Sequence, residues 1–106
     1  MLNQTVLVGR VANEMEIKEV DNKKFVTLTL AVPRSYKNEN GVYDTDFIKC
    51  ILWKGMAENA VEYLKKGDLV GIKGRLQSEE INGFSMTNVV AEKVTFLSSS
   101  KEKESE

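Results

Sequence analysis

The chain has 106 residues, 42% of them hydrophobic, with one cysteine, no histidine and a net charge of −1. That is one domain's worth of sequence with apolar content for a single core, and no run is long enough to span a membrane. Without histidine the commonest general base and metal ligand are missing, and one cysteine makes neither a disulfide nor a structural zinc site, so no catalytic residue, metal or cofactor is expected.

The start, "MLNQTVLVGRV", has neither the basic segment nor the apolar core of a signal peptide. Cys50 reads as a small buried hydrophobe, in keeping with a reducing cytoplasm. The last nine residues, "SSSKEKESE", hold two lysines and three glutamates and are polar enough to be a disordered tail, 98–106. Residues 1–97 are then electrically balanced and form the domain. Acids gather at Glu14, Glu16, Glu19 and Asp21 and the cations fall elsewhere, so a neutral total can still contain one positive groove.

Thr5–Val11, "TVLVGRV", predicts a first strand with a bulge or bend at Gly9. Lys24–Val32 predicts a second: Val26, Leu28, Leu30 and Val32 alternate with Phe25, Thr27, Thr29 and Ala31 until Pro33 stops it. The polar loop "RSYKNENGVY" follows, with a hairpin turn at Asn40-Gly41. The third strand, "TDFIKCILWKG" from Thr45, places Phe47, Lys49, Ile51 and Trp53 on one face and Ile48, Cys50 and Leu52 on the other. In "GMAENAVEYLKKG" the period changes. Ala57, Ala60, Val61 and Leu64 make one face of a short helix, which Lys65, Lys66 and Gly67 are placed to end. The fourth strand, "DLVGIKGRLQ", turns Val70, Ile72 and Leu76 inward and Lys73 and Arg75 outward. Asn82-Gly83 predicts a tight turn into the final strand, "FSMTNVVAEKVTFL". Phe25, Phe84 and Phe96 are assigned to the core and Tyr63 to packing the helix on the strands.

The order strand, strand, strand, helix, strand, strand fits an all-β fold with one short helix, a five-stranded Greek-key OB-fold barrel. A three-stranded sheet packed on the helix would read almost the same. If the second to fourth strands form one curved sheet, its second face carries Phe47, Lys49 and Trp53 with Lys73 and Arg75, and Tyr36 and Lys37 stand in the neighbouring loop. Rings interleaved with cations suit single-stranded nucleic acid: bases stack on the rings at about 1–3 kcal/mol each while cations follow the phosphates. A duplex hides its base faces. The same aromatics also fit burial in a second core or a subunit interface.

The segments "VLVGRV", "TLAVPRSY", "DFIKCILWKGMAENAVEYLKKGDLVGIKGRLQ" and "VVAEKVTFL" together resemble the bacterial single-stranded DNA-binding proteins over nearly all of residues 2–97. The resemblance implies an OB-fold, usually a homotetramer, that coats single strands in replication, repair and recombination without enzymatic activity. The family's stacking positions match Tyr36, Phe47 and Trp53. Arg34, Lys37, Lys49, Lys54, Lys73 and Arg75 are the phosphate candidates, with Arg10 and Lys65 as further ones. A fourth family aromatic belongs to a long basic arm, which here reads "SEEINGFS", with Ile81 in place of the ring and Glu79 and Glu80 in place of basic or neutral residues. Weaker binding or a smaller footprint is therefore expected. The family's acidic tip, closing with a proline and a bulky apolar residue, has no counterpart in "SSSKEKESE", so partner enzymes are not expected to be recruited by that route. An OB-type protein-interaction module such as a primosome adaptor, or an RNA-binding OB domain, are the competing readings.

Overall fold

A computed structural model describes residues 1–99. Strand β1 (Thr5–Val11) has the predicted bounds, and β2 (Lys18–Val20) is a short addition. Then come β3 (Lys23–Lys37), β4 (Tyr43–Trp53), α1 (Gly55–Tyr63), β5 (Leu69–Ile81) and β6 (Phe84–Ser98). β1 pairs with β5 along Thr5–Arg10 and then with β3 at Arg10 and Val11. β3 pairs with β4, β4 runs parallel to β6 at Cys50–Val89 and Ile51–Val90, and β6 pairs with β5. The circuit β1-β3-β4-β6-β5 closes on itself, which is the five-stranded OB barrel with β2 added as a hairpin flap on β3.

Two glycines make the closure. A Cβ on Gly9 would stand 2.4 Å from the Ala31 carbonyl oxygen, where β1 leaves β5 for β3. A Cβ on Gly74 would stand 2.2 Å from the carbonyl oxygen of Val90, beside a register shift in the β5–β6 ladder. Only a residue without a side chain permits either approach. Inside lie Val26, Leu28 and Leu30 of β3, Cys50 and Leu52 of β4, Val70 and Ile72 of β5, Val89 and Ala91 of β6, and Val11, closed off by Ala57, Ala60 and Leu64. Of the inward set predicted for the second and third strands, Val26, Leu28, Leu30, Cys50 and Leu52 build this core, and Val32 and Ile48 are partly buried against it.

Several expectations are corrected. β3 does not stop at Pro33: it runs four residues further, through a register shift, to pair Lys37 with Tyr43. Among the described residues β3 has only β4 as a neighbour there, and a strand edge is where proline is tolerated. The loop shrinks accordingly to a turn held by Asn38, whose Oδ1 accepts from the backbone N–H groups of Asn40 and Val42. The helix ends at Tyr63 and Leu64 is already extended, so Lys65 and Lys66 lie beyond its last turn, and Val61 is exposed. Leu76, opposite the buried Val89 but beyond the end of the β1 ladder at Gly74, is exposed. Phe25, Phe84 and Phe96 are all outside the core.

Two asparagines flank β1. Asn13 accepts from the Thr29 N–H and donates to the Thr27 carbonyl of β3. Asn3 donates to the Leu76 carbonyl and accepts from the Leu76 N–H, 2.8 Å each, at the root of the β5–β6 arm. The polar tail expected from residue 98 begins on Ser98, which closes β6 opposite Leu69; its residues 100–106 lie outside the described residues.

Candidate nucleic-acid interface

Alternation along β4 turns Tyr43, Thr45, Phe47, Lys49, Ile51 and Trp53 away from the core, since Cys50 and Leu52 between them are fully buried. The cross-strand partners on β3 are Ala31 for Phe47, Thr29 for Lys49, Thr27 for Ile51 and Phe25 for Trp53. Phe47 is thus flanked by a methyl group and stays 67% exposed, its ring open. Trp53 is half-buried because Phe25 leans against it, ring centroids 5.1 Å apart and tilted by 41°. Such a pair fixes the indole in place and leaves part of it accessible. Lys23 and Lys54 border a shallow depression beside Trp53. Lys54 takes a left-handed φ of 56° as β4 turns into α1.

The strand order separates residues that the sequence had placed together. β6 lies between β4 and β5, so Arg75 meets the aromatic face only through the row Thr27–Ile51–Val90–Arg75. Two strand spacings, about 10 Å, separate Arg75 from Ile51. Its guanidinium donates to the Gln77 side chain at 2.7 Å. Lys73 lies on the far side of the Gly74 bend, between Val6 of β1 and Lys93 of β6. Arg34 follows the inward parity of Val32 and Asp46. Its Nε and Nη2 hold both Asp46 oxygens at 2.9–3.2 Å, and Asp44 is 3.8 Å away. The hydrogen bond to Asp46, with that residue's charge, strengthens the guanidinium's hold on its proton, and the same bond holds the Asp46 carboxyl below the usual carboxylate range. Tyr36, 65% exposed in the irregular segment after Pro33, stands within electrostatic range of Arg34. Arg10 is engaged with the Gly67 carbonyl at 2.9 Å. Lys65 lines a separate depression with Glu14, Asn13 and Lys66.

The structure therefore brings together Phe47, Lys49, Trp53 and Lys54, and adds Lys37 at the hairpin end of the same face, its ammonium 5.7 Å from the centre of the Tyr43 ring. Sequence reasoning passed over Tyr43, Phe25 and Lys23. The period-2 count that selected Phe47 and Trp53 reaches Tyr43 when carried two steps back; Phe25 and Lys23 depend on cross-strand register, which no local pattern discloses. Cys50, beneath this face, is sealed in, and burial pushes its thiol up to about 11.

The model of the single-strand binding protein family matches residues 2–97. The chain is 43% identical over 103 residues to single-stranded DNA-binding protein A of Bacillus subtilis (strain 168), an overlap covering 92% of this chain and 60% of that protein. With single-stranded DNA-binding protein 3 of Listeria innocua the identity is 42% over 105 residues, covering 93% and 66%. A crystal structure of a deletion mutant of the single-stranded DNA binding protein from Thermus aquaticus shares the fold, with a TM-score of 0.75 at 24% identity over 91% of this chain and 50% of that one. The chain spans about three fifths of the length of curated relatives such as those of Bacillus cereus and Bacillus anthracis. It belongs to the single-strand binding protein family.

Proposed function

We propose that this domain binds single-stranded DNA without regard to sequence, protecting it during replication, recombination and repair in the cytoplasm, by binding alone and without enzymatic chemistry. The observation that carries this reading is the open outer face of β4, where Phe47 and Trp53 flank Lys49 while the same strand's inner face fills the core. Bases stack on Phe47, Trp53 and Tyr36. Lys49, Lys54 and Lys37 hold phosphates from positions on or beside that face; Arg75 joins through the β6 row, and Lys73 and Arg34 act further out. The family resemblance supports a homotetramer, and the protein offers β1 for it: Val6 and Val8 are exposed on a strand paired over Thr5–Val8 on one side alone among the described residues.

Trp53 is the one tryptophan, so its emission reports the site directly. Oligo-dT is expected to quench it strongly and duplex DNA weakly, with affinity falling on a log–log salt plot by about 0.7 per phosphate neutralised. Unchanged emission at saturating oligonucleotide overturns the reading and favours a protein-binding OB module, for which the apolar cleft between α1 and β6, lined by Met56, Tyr63, Val94 and Phe96, is the available surface.

A further inference from the structure

Beyond Phe47 the outer face divides between two projecting hairpins, and each carries a ring that the sequence pattern did not assign to binding. On β3–β4 it is Tyr43, 53% exposed and four residues from Phe47 on the same side of the same strand. On the β5–β6 arm it is Phe84, 74% exposed and opposite Ile81. The arm's row Val90, Asn88, Met86 and Phe84 begins beside Ile51, is buried at Asn88 and opens to solvent at Met86 and Phe84, so both rings lie on rows that start from one sheet surface. Ring exposure alone does not choose between them.

Charge does. From Leu76 to Glu92 the chain has no lysine or arginine and three glutamates, Glu79, Glu80 and Glu92, and Glu79 sits opposite Met86 on that row next to Phe84. A strand laid there would bring its phosphates past carboxylates with no cation to replace the released counterions. At Tyr43 the difference lies in placement, not in the total: Glu39, Asp44 and Asp46 outnumber Arg34 and Lys37 on this hairpin, but a cation stands at the ring itself. Lys37 is its cross-strand partner, with the ammonium 5.7 Å over the ring, and the nearby Asp44 and Asp46 are engaged by Arg34. A cation over one side of a phenol ring leaves the other side for a base, and the same ammonium reaches a neighbouring phosphate.

We infer that Tyr43, backed by Lys37, is a further base-stacking station, so that a bound single strand runs from Trp53 past Phe47 out along the β3–β4 hairpin and does not cross the β5–β6 arm. The inference rests on the single-strand reading above. The track from Trp53 to Tyr43 runs the 11 residues of β4, about 34 Å at strand rise.

The test is a Trp53-quenching titration with oligo-dT of about 4 and about 16 nucleotides, the ends of the range an OB domain covers. Tyr43→Ala and Tyr43→Leu are expected to weaken binding of the longer oligonucleotide by roughly 5- to 100-fold, while the shorter one, held by Trp53 and Phe47, binds as in the wild type. Tyr43→Phe keeps the ring and is expected to restore wild-type affinity. Phe84→Ala is expected to leave both lengths unchanged. Protection of the Cys50 thiol from alkylation verifies the fold of each variant. Wild-type affinity for the longer oligonucleotide in Tyr43→Ala, or a loss in Phe84→Ala equal to that in Tyr43→Ala, overturns the inference while leaving single-strand binding intact. A wild-type protein whose Trp53 emission does not respond to either length defeats both.

Discussion

The β3–β4 and β5–β6 hairpins are built alike and dressed differently. Each has strands of 11 to 15 residues, each extends past the barrel wall, and each reverses near a glycine at positive φ, Gly41 or Gly83. Each also displays large apolar groups to solvent: Tyr36, Tyr43 and Phe47 on one, Ile81, Phe84 and Met86 on the other. The first interleaves its rings with Lys37 and Lys49 and ties up its aspartates with Arg34. Past Arg75 the second has glutamates and no cation until Lys93. Backbone geometry determines where a ring can be shown; the charge around it determines whether a polyanion will follow.

The largest expected effect comes from the shared core rather than from either hairpin's surface. Leu52→Ala removes a fully buried side chain beneath Trp53 and is expected to destabilise the domain by about 2–5 kcal/mol, measured as a lowered denaturant midpoint with Cys50 becoming open to alkylation. Gly74→Ala tests the root of the arm. Its Cβ meets the Val90 carbonyl, and a loss of about 1–3 kcal/mol in the same unfolding experiment is expected; an unchanged midpoint would mean that the bend is not what closes the barrel. On the binding surface, Trp53→Ala and Phe47→Ala are each expected to weaken oligo-dT binding by about 1–3 kcal/mol with stability nearly unaltered. Lys49→Ala is expected to lose less and to reduce the salt slope by about 0.7. Equal losses from all three would make charge, not stacking, the difference between the hairpins.

The smallest effect concerns acid. The Asp46 carboxyl is held below its ordinary range by the hydrogen bond from Arg34, so its contribution is complete above the unfolded carboxylate range and is lost as pH falls through the depressed folded value. Both partners are exposed, so only a slight loosening of the β3–β4 end is expected, seen as faster amide exchange near Asp46 at low pH. Asp46→Asn should abolish that pH dependence and leave the β5–β6 arm unaffected.

The sequence discloses what one strand determines by itself. Alternation identified both faces of β4, and the residue types along β1, at Gly9 and at Asn82-Gly83 identified that strand, its bend and the turn, because each depends on residues a few positions apart. What it concealed depends on partners far along the chain. Phe25 looked like core because its contact, Trp53, is a cross-strand neighbour. Arg34 looked free because Asp46 reaches it only across the ladder. Lys73 and Arg75 looked like neighbours of Phe47 because nothing local reveals that β6 is inserted between β4 and β5. β2 went unseen since "KEV" has no inward face to declare. Phe84 and Phe96 were assigned inward by residue type, while the hairpin that carries Phe84 leaves the barrel.

Asn3 has a consequence for how the molecule keeps company. Its amide occupies both backbone groups of Leu76, so it stands in for one more rung at the point where β1 has run out and the arm becomes an open border. A foreign strand looking for a seam to zip onto would therefore find the first tooth filled and would have to begin farther out, beside acidic side chains.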